Sequence, residues 1–291
     1  MKHIGKSYDK VDAKGILSGK PSYTGDFVPK DALIIKVLRS PHAQAKIKSI
    51  DTSKAKLIPG VEAIFTYEDV PNTRFTLAGQ TYPEPSAYDA LILDSVVRYV
   101  GDEVALVVAK DEATALKAMP LIKVEYEVQK PVLDLRTAMD HETVVHPEDD
   151  ILNHIPVGQD YKRNICVSYH KRVGDIEGEL AKCDYVVEGT YFDQATRQSA
   201  MEPFQSFGYI DHLGRIVIVS STQIVFHVRR HIARALGIPA SKIRVIKPRI
   251  GGGFGSKQTA CTELMTAFVT WKLQKPCYLL YDRTEAQTCS T

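Results

Sequence analysis

A glycine-rich stretch, RIGGGFGSKQ at residues 249–258, limits the possible folds more than any other segment of the chain. Gly251, Gly252, Gly253 and Gly255 put four residues without a Cβ within five positions, which is costly in conformational entropy. Such a density is explained if the backbone approaches another surface closely or adopts positive φ. The stretch lies between a strand-like run, KIRVIKPRI, and a helix-like run, TACTELMTAFVTWKL. It is therefore predicted to be a strand-to-helix loop, a setting in which backbone N–H groups bind anions.

The loop matches neither of the common nucleotide-binding motifs. The dinucleotide fingerprint G-x-G-x-x-G is met by Gly251 and Gly253, but Ser256 occupies its last position. The Walker motif G-x-x-x-x-G-K-[ST] is met by Gly251 and Lys257, but Ser256 and Gln258 replace its second glycine and its hydroxyl residue. The residues alone leave two alternatives open, an anion-binding loop and a tight, closely packed turn.

A second junction of the same kind precedes the loop by about thirty residues. The segment SSTQ, Ser220 to Gln223, ends one predicted strand and opens a predicted helix. Two such junctions joined by a helix can lie side by side on one sheet edge, where ligands commonly bind. Gln223 is then a candidate to present its amide to a ligand; the alternative is an ordinary polar residue at a helix start.

The remaining patterns predict a mixed fold. The first half contains strand-like runs at residues 32–40, 60–70, 103–110 and 121–128. In LIKVEYEV the alternation predicts that Ile122, Val124, Tyr126 and Val128 face inward, and DEATALKAM is predicted to form a short helix before that run. The second half is predicted to begin with a strand around CDYVVEGTYFD, followed by a hairpin with Gly214 in its turn and a helix that stops at Gly237.

Composition narrows the class of protein. Of the 291 residues, 44% are hydrophobic and 25% charged, and the net charge is +2, so neither nucleic acid nor an anionic membrane is an expected partner. No signal peptide or membrane-spanning run is evident. The five cysteines form no CxxC pair, which favours a reducing cytoplasm. We expect two domains, at residues 1–135 and 166–291, joined by an acidic, histidine-bearing linker at 136–165.

Taken together, these segments resemble the molybdenum-binding subunit of the xanthine dehydrogenase and aldehyde oxidase family. The similarity is carried by SSTQ, by RRHIARALGIPASKIRVIKPRIGGGFGSKQ, where the family usually has G-G-G-F-G-G-K, and by SAMEP at Ser199–Pro203. In the first half, SGKPSYTGDF, LRSPHAQAKI and VRYVGDEVALVVAKDEATALKA are similar to the family's α/β hammerhead domain. The resemblance implies an α+β fold, with the hammerhead domain followed by the first part of the molybdopterin-binding domain.

The resemblance also implies a cofactor and the residues that hold it. Molybdenum would be bound by a pterin, with the cytosine dinucleotide as one alternative form, and iron–sulfur clusters and FAD would lie on partner subunits or domains. Gln223 would hydrogen-bond the oxo ligand of the metal. Gly253, Phe254 and Gly255 would direct backbone N–H groups to the metal's oxygen ligands or to the pterin. Such fixed dipoles suit an oxygen-rich anionic centre, and Gln223 and Phe254 would contact the metal only through its ligands.

Gln258 is where the resemblance places the substrate. Family members that act on purines often have Glu there, whereas some bacterial purine-oxidising members have Gln. The implied function is therefore the water-derived hydroxylation of hypoxanthine or xanthine by a xanthine dehydrogenase. An aldehyde, another N-heterocycle, or a non-catalytic scaffold that keeps the docking surfaces remain alternatives.

Part of the family's machinery is missing from the sequence. The catalytic base of the family is a glutamate in a G-E-P segment, and no G-E-P occurs here, so we expect that base downstream and no catalytic residue in this chain. The expected partners are the remainder of the molybdenum subunit and the iron–sulfur and FAD-binding subunits, in an oligomer. Alone, this polypeptide is expected neither to turn over substrate nor to hold the cofactor tightly.

Overall fold

A computed structural model describes residues 3–20, 22–78 and 81–289, which form ten strands and seven helices. The strands are β1 Leu33–Arg39, β2 Ala45–Asp51, β3 Val61–Phe65, β4 Val96–Val97, β5 Glu103–Ala109, β6 Lys123–Val128, β7 Gln205–Ile210, β8 Ile216–Ser220, β9 Ile243–Ile246 and β10 Cys277–Leu280. The helices are α1 Ala13–Leu17, α2 Ser53–Lys56, α3 Glu112–Ala118, α4 Ile176–Leu180, α5 Val225–Leu236, α6 Glu263–Leu273 and α7 Arg283–Thr288. This confirms the predicted α+β class. Within these residues, no helix combines the length and the apolar character needed to cross a bilayer.

Strands from both halves of the chain build one seven-stranded sheet in the order β3-β5-β1-β10-β7-β8-β9. The join is the parallel pair β1–β10, in which Leu33 lies opposite Cys277. A smaller sheet, β4-β2-β6, belongs to the first half alone. The large sheet is thus continuous across the domain boundaries expected from sequence, and those boundaries stay a prediction.

The strand–helix–strand unit of the first half forms as predicted, except at its end. β5 is almost wholly buried, as its apolar run requires, and Asp111 caps α3 by accepting a hydrogen bond from Thr114 N at 2.8 Å. In β6 the inward positions are buried or half-buried up to Tyr126, but Val128 is 60% exposed. The prediction was wrong for Val128 because β6 is an edge strand that pairs only with β2.

The second half contains the predicted hairpin and the two predicted long helices. Gly214 in the β7–β8 turn has φ +68°, and Gly237 ends α5 with φ +65°. Both helices pack against the large sheet through apolar side chains such as Val228 and Phe268, which are fully buried. This packing fixes the ends of α5 and α6 that face the glycine-rich loop.

The strand predicted at Cys183–Asp193 does not form. The segment has no ladder partner, and its aromatic side chains are in water, with Tyr185 90% and Tyr191 92% exposed. The sequence pattern was right about β propensity, but a strand needs a neighbour for its hydrogen bonds. Among the described residues, no strand lies alongside the segment.

Candidate functional site

The two strand-to-helix junctions lie side by side. β8 and β9 are parallel neighbours, with Ile216 opposite Ile243 and Val219 opposite Ile246, so both strands end at the same edge of the sheet. Beyond that edge, the Gln223 N–H donates to the carbonyl oxygen of Lys257 at 2.9 Å. The adjacency of SSTQ and the glycine-rich loop, inferred from spacing alone, is therefore observed.

The side chain of Gln223 lies directly against the backbone of Gly253. A Cβ at Gly253 would be 2.5 Å from Gln223 Oε1 and 2.8 Å from its Cδ, closer than real Cβ contacts allow. Gly253 has no positive φ, so glycine is required here for close approach rather than for backbone conformation. Gln223 Oε1 is buried and, within the part of the chain that the structure describes, has no hydrogen-bond partner.

Positive φ is concentrated in the next few residues of the loop. Gly252 and Gly255 have φ +99° and +93°, and Phe254 has φ +51°, which is uncommon for a residue with a bulky side chain. The Phe254 ring lies over Gly252 and is 74% exposed. After the loop, Ser256–Gln258 form one turn of 3-10 helix, and α6 begins only at Glu263. The sequence predicted that the loop leads directly into a helix. In the structure, the 3-10 turn and four further residues separate the loop from α6.

Some backbone N–H groups of the loop are hydrogen-bonded within the protein, and others are not. Gly251 N donates to the Glu202 carboxylate at 2.6 Å, and Ser256 N donates to the Gly253 carbonyl at 2.9 Å. Over the described chain, no acceptor is found for the N–H groups of residues 252–255. Four successive unpaired donors on a bent backbone can bind oxygen atoms of an anion.

Ser256 holds the loop closed where the family usually has glycine. Its hydroxyl donates to the Gly253 carbonyl at 2.6 Å and is buried with the rest of the side chain. Gln258, two residues on, is half-buried in the 3-10 turn, and its N–H donates to the Gly255 carbonyl at 2.9 Å. The contact of Gln258 with substrate stays a prediction.

Three charged residues behind the loop were missed or left unassigned in the sequence. Lys257 is 2% exposed and pairs with Glu202 at 3.0 Å, Nζ to Oε2. Glu263, the first residue of α6, is buried and accepts a hydrogen bond from Ser220 Oγ at 2.5 Å. Burial raises the pKa of Glu263, and the hydrogen bond from Ser220 only partly opposes this. These pairs could not be read from local sequence, because the partners lie 43 to 55 positions apart.

The basic face of α5 is used inside the molecule. Arg229, Arg230 and Arg234 give α5 a basic face, for which the sequence leaves a solvated face, a subunit contact and a pterin-phosphate contact as alternatives. Instead, Arg230 Nη2 donates to Glu84 Oε1 at 2.8 Å, and Arg234 Nε donates to the Arg74 carbonyl at 2.7 Å. Arg230 and Arg234 thus hold the segment between β3 and β4 against α5, whereas Arg229 donates to the Ala240 carbonyl.

Comparison with known proteins defines the class to which this fold and loop belong. Residues 157–291 match the molybdopterin cofactor-binding domain, and residues 18–130 match the a/b hammerhead domain of aldehyde oxidase and xanthine dehydrogenase. The chain therefore belongs to the aldehyde oxidase and xanthine dehydrogenase family of molybdenum-dependent oxidoreductases.

Individual relatives agree with this assignment. The probable hypoxanthine oxidase of Escherichia coli is 39% identical over 99% of this chain and 32% of its own length. The nicotinate dehydrogenase large molybdopterin subunit of Eubacterium barkeri is 30% identical over 99% of this chain and 63% of its own length. Among solved structures, the aldehyde oxidoreductase from Desulfovibrio gigas superposes with a TM-score of 0.80 at 25% identity, covering 98% of this chain and 31% of that one. The chain thus spans about a third of the length of the first of these relatives.

The residues at the sheet edge fit a molybdenum–pterin group. An oxygen-rich, anionic centre needs hydrogen-bond donors, because its oxygen ligands are acceptors. The unpaired N–H groups of residues 252–255 and the side-chain amide of Gln223, which lies against Gly253, are such donors. Gln223 Oε1, an acceptor, is buried against Gly253, so the side-chain NH2 group of Gln223 is the part that can donate to such a centre.

Proposed function

We propose that this chain is the N-terminal part of the molybdenum subunit of a xanthine dehydrogenase-type enzyme that oxidises hypoxanthine or xanthine. The observation that carries the proposal is the contact between Gln223 and Gly253, which unites the two junctions into one donor-lined site. The name of the Escherichia coli relative, a probable hypoxanthine oxidase, supports a purine substrate. Oxidation of another N-heterocycle or of an aldehyde is the alternative, in line with the nicotinate and aldehyde enzymes among the relatives.

Each site residue has a defined task in this proposal. Gln223 would donate its side-chain amide, and Gly253, Phe254 and Gly255 their N–H groups, to the oxygen ligands of the bound group. When bound, that group supplies a water-derived oxygen and accepts the two electrons released when a C–H bond of the substrate is hydroxylated. The protein's part is electrostatic: the donors are already oriented by the loop, so little reorganisation is needed as charge develops. The positive φ of Phe254 is consistent with such a task because strained backbone is common at ligand sites.

Gln258 would contact the substrate. Its amide can both donate and accept a hydrogen bond, which suits a purine ring that presents N–H and carbonyl groups on one edge. An aldehyde offers only an acceptor and would use half of that capacity. We therefore expect Gln258→Glu, which removes the donor at neutral pH, to change kcat/KM for hypoxanthine more than for an aldehyde.

Further polypeptides are needed to complete the enzyme. We propose that the remainder of the molybdenum subunit contributes the catalytic glutamate, and that subunits carrying iron–sulfur clusters and FAD accept the electrons in a cytoplasmic oligomer. The cytosine dinucleotide is one alternative for the form of the pterin. One support is an apolar groove of about 630 Å³ on the sheet face opposite α6, lined by Phe27, Phe207, Val219 and Ile246. Of these side chains, Phe207 and Val219 are buried, whereas Phe27 is 47% exposed and offers apolar surface that another part of the protein can cover.

The test is assembly followed by assay. The chain is co-expressed with its neighbouring reading frames, the complex is purified, and bound molybdenum is measured. Dye reduction is then compared with hypoxanthine, xanthine, nicotinate and an aldehyde as electron donors. We expect molybdenum in the complex and the highest kcat/KM with a purine. Gln223→Ala should lower the molybdenum content, whereas Gln129→Ala, a matched change just beyond β6, should not.

Each outcome of this test decides between the stated alternatives. A fully assembled complex without molybdenum would contradict the enzymatic proposal and favour the scaffold. A complex with molybdenum that prefers nicotinate or the aldehyde would replace the purine by that substrate.

A further inference from the structure

Glu202, in the SAMEP segment, connects three parts of the chain that meet behind the glycine-rich loop. Its Oε2 accepts hydrogen bonds from Gly251 N at 2.6 Å and from Lys257 Nζ at 3.0 Å. Its Oε1 accepts from Gln205 Nε2, at the start of β7, at 2.7 Å. The backbone N–H of Glu202 donates in turn to the Gly251 carbonyl at 3.1 Å. One carboxylate therefore fixes the first glycine of the loop through a reciprocal pair of bonds.

The contact leaves no room for a side chain at Gly251. A Cβ there would lie 2.7 Å from the Glu202 Cβ and 3.5 Å from its backbone nitrogen. Gly251 has no positive φ, so close approach explains the glycine. The first and third glycines of the loop are thus both contact positions, one against Glu202 and the other against Gln223.

Lys257 transmits this arrangement to Gln223. Its ammonium group is bound by Glu202, while its carbonyl oxygen accepts from Gln223 N at 2.9 Å and from Thr222 Oγ1 at 3.5 Å. The ion pair is almost dry, with the Lys257 side chain 2% and the Glu202 side chain 9% exposed. Burial lowers the pKa of Lys257, and the nearby Glu202 carboxylate counteracts this. Since water does not compete for these groups, the pair has one defined geometry rather than many.

A second clamp holds the SAMEP segment from the other side. Arg283, at the start of α7, donates to the carbonyl oxygens of Ala200 and Met201, both at 2.7 Å. Arg283 therefore ties the segment that carries Glu202 to the start of α7. This is the arrangement needed if Glu202 is to determine where the loop lies.

We propose that Glu202 and Lys257 are positioning residues that hold the glycine-rich loop against Gln223 in the arrangement that receives the cofactor. They do not touch the bound group; they act through Gly251 and through the Lys257 carbonyl. The inference rests on the proposed molybdenum site, but its structural part, the ordering of the loop by a buried ion pair, is measurable without cofactor.

The test combines amide hydrogen exchange with cofactor loading. Lys257→Met removes the ammonium group, and the double change Glu202→Gln with Lys257→Met removes both charges, so that no unpaired charge is buried if the single variant fails to fold. In the purified chain, we expect exchange at Gly251 and Gln223 to rise roughly ten- to a hundredfold, which corresponds to losing one charge-assisted hydrogen bond. Amides of α3 should exchange as in the unchanged chain.

The matched control is Lys275→Met, which breaks a similar ion pair to Glu62 on the surface, where the Lys275 side chain is 50% exposed. It should leave loop exchange unchanged. In the assembled complex, molybdenum per folded protein should fall in the Lys257→Met and double variants and not in the control. A merely structural role predicts uniform loosening of the sheet with normal loading of the protein that stays folded.

Two failures can be told apart. A wild-type complex without molybdenum would overturn the proposed function, while the exchange data would still test the ion pair. Unchanged exchange at Gly251 and Gln223 in both variants, with wild-type loading, would overturn the positioning role.

Discussion

Replacing Gly253 by alanine should separate cofactor binding from stability. The new Cβ would lie 2.5 Å from Gln223 Oε1, so the Gln223 amide must move, which costs about 0.5–1.5 kcal/mol if it leaves its rotamer. Gly253 has no positive φ, and the lower entropy of the unfolded alanine variant returns about 0.4–1 kcal/mol. Gln223 Oε1 has no partner to lose in the described structure. The net change in the free energy of unfolding is therefore expected to stay within about 1 kcal/mol.

Cofactor loading should respond much more strongly. A displaced Gln223 amide loses a hydrogen bond to an anionic group, worth about 1.5–3 kcal/mol, or roughly ten- to a hundredfold in affinity. Urea unfolding of the chain and molybdenum content of the assembled complex measure the two quantities. Gly15→Ala in α1 is the control, because its Cβ would meet only Lys20 Cδ at 3.7 Å. Wild-type loading of Gly253→Ala, or a loss of stability above about 3 kcal/mol, would refute the reasoning.

Three further changes test the packing around the site. Ser256→Gly removes the hydroxyl bond that closes the loop and adds backbone entropy, and it should cost about 1–2 kcal/mol in urea unfolding. Arg39 donates to the carboxylates of Glu103 and Glu285 at 2.7 and 3.1 Å, and Arg39→Met leaves both carboxylates without this partner. The change should lower the free energy of unfolding by about 3–5 kcal/mol. Burial lowers the pKa of His231 to about 4 from 6.5, so the unfolded chain binds a proton first as the pH falls. The stabilisation present above pH 6.5 should therefore be lost towards pH 4, by up to roughly 3 kcal/mol, and His231→Leu should abolish that part of the pH dependence in denaturant titrations.

Structural features that depend on neighbouring residues were predicted correctly from the sequence. The run EVALVVA predicts a strand buried on both faces, because all of its residues after Glu103 are apolar. In the structure, β5 is buried at each of those residues. Gly237 predicts a helix end because it tolerates the left-handed conformation that it adopts. The adjacency of SSTQ and the glycine-rich loop followed from the strand–helix order alone, since parallel neighbours end at one edge.

What could not be predicted depends on contacts between distant residues. Nothing in SAMEP shows that Glu202 would meet Gly251 and Lys257, and nothing in the helix pattern shows that Arg230 would bind Glu84. These pairs are separated by 49 to 146 positions, and burial of both partners is decided only by packing. Sequence periodicity describes which face of an element is apolar, but it does not say which charges meet behind that face.

The unformed strand at Cys183–Asp193 connects the fold to the proposed assembly. Tyr185, Val187 and Tyr191 alternate along one side of the segment and are each at least 90% exposed, whereas such side chains are normally buried against a neighbouring strand. Open backbone donors and acceptors accompany them, which is the arrangement that pairs with an added strand. We propose that the remainder of the proposed subunit supplies that strand, since the chain covers 32% of the length of its Escherichia coli relative.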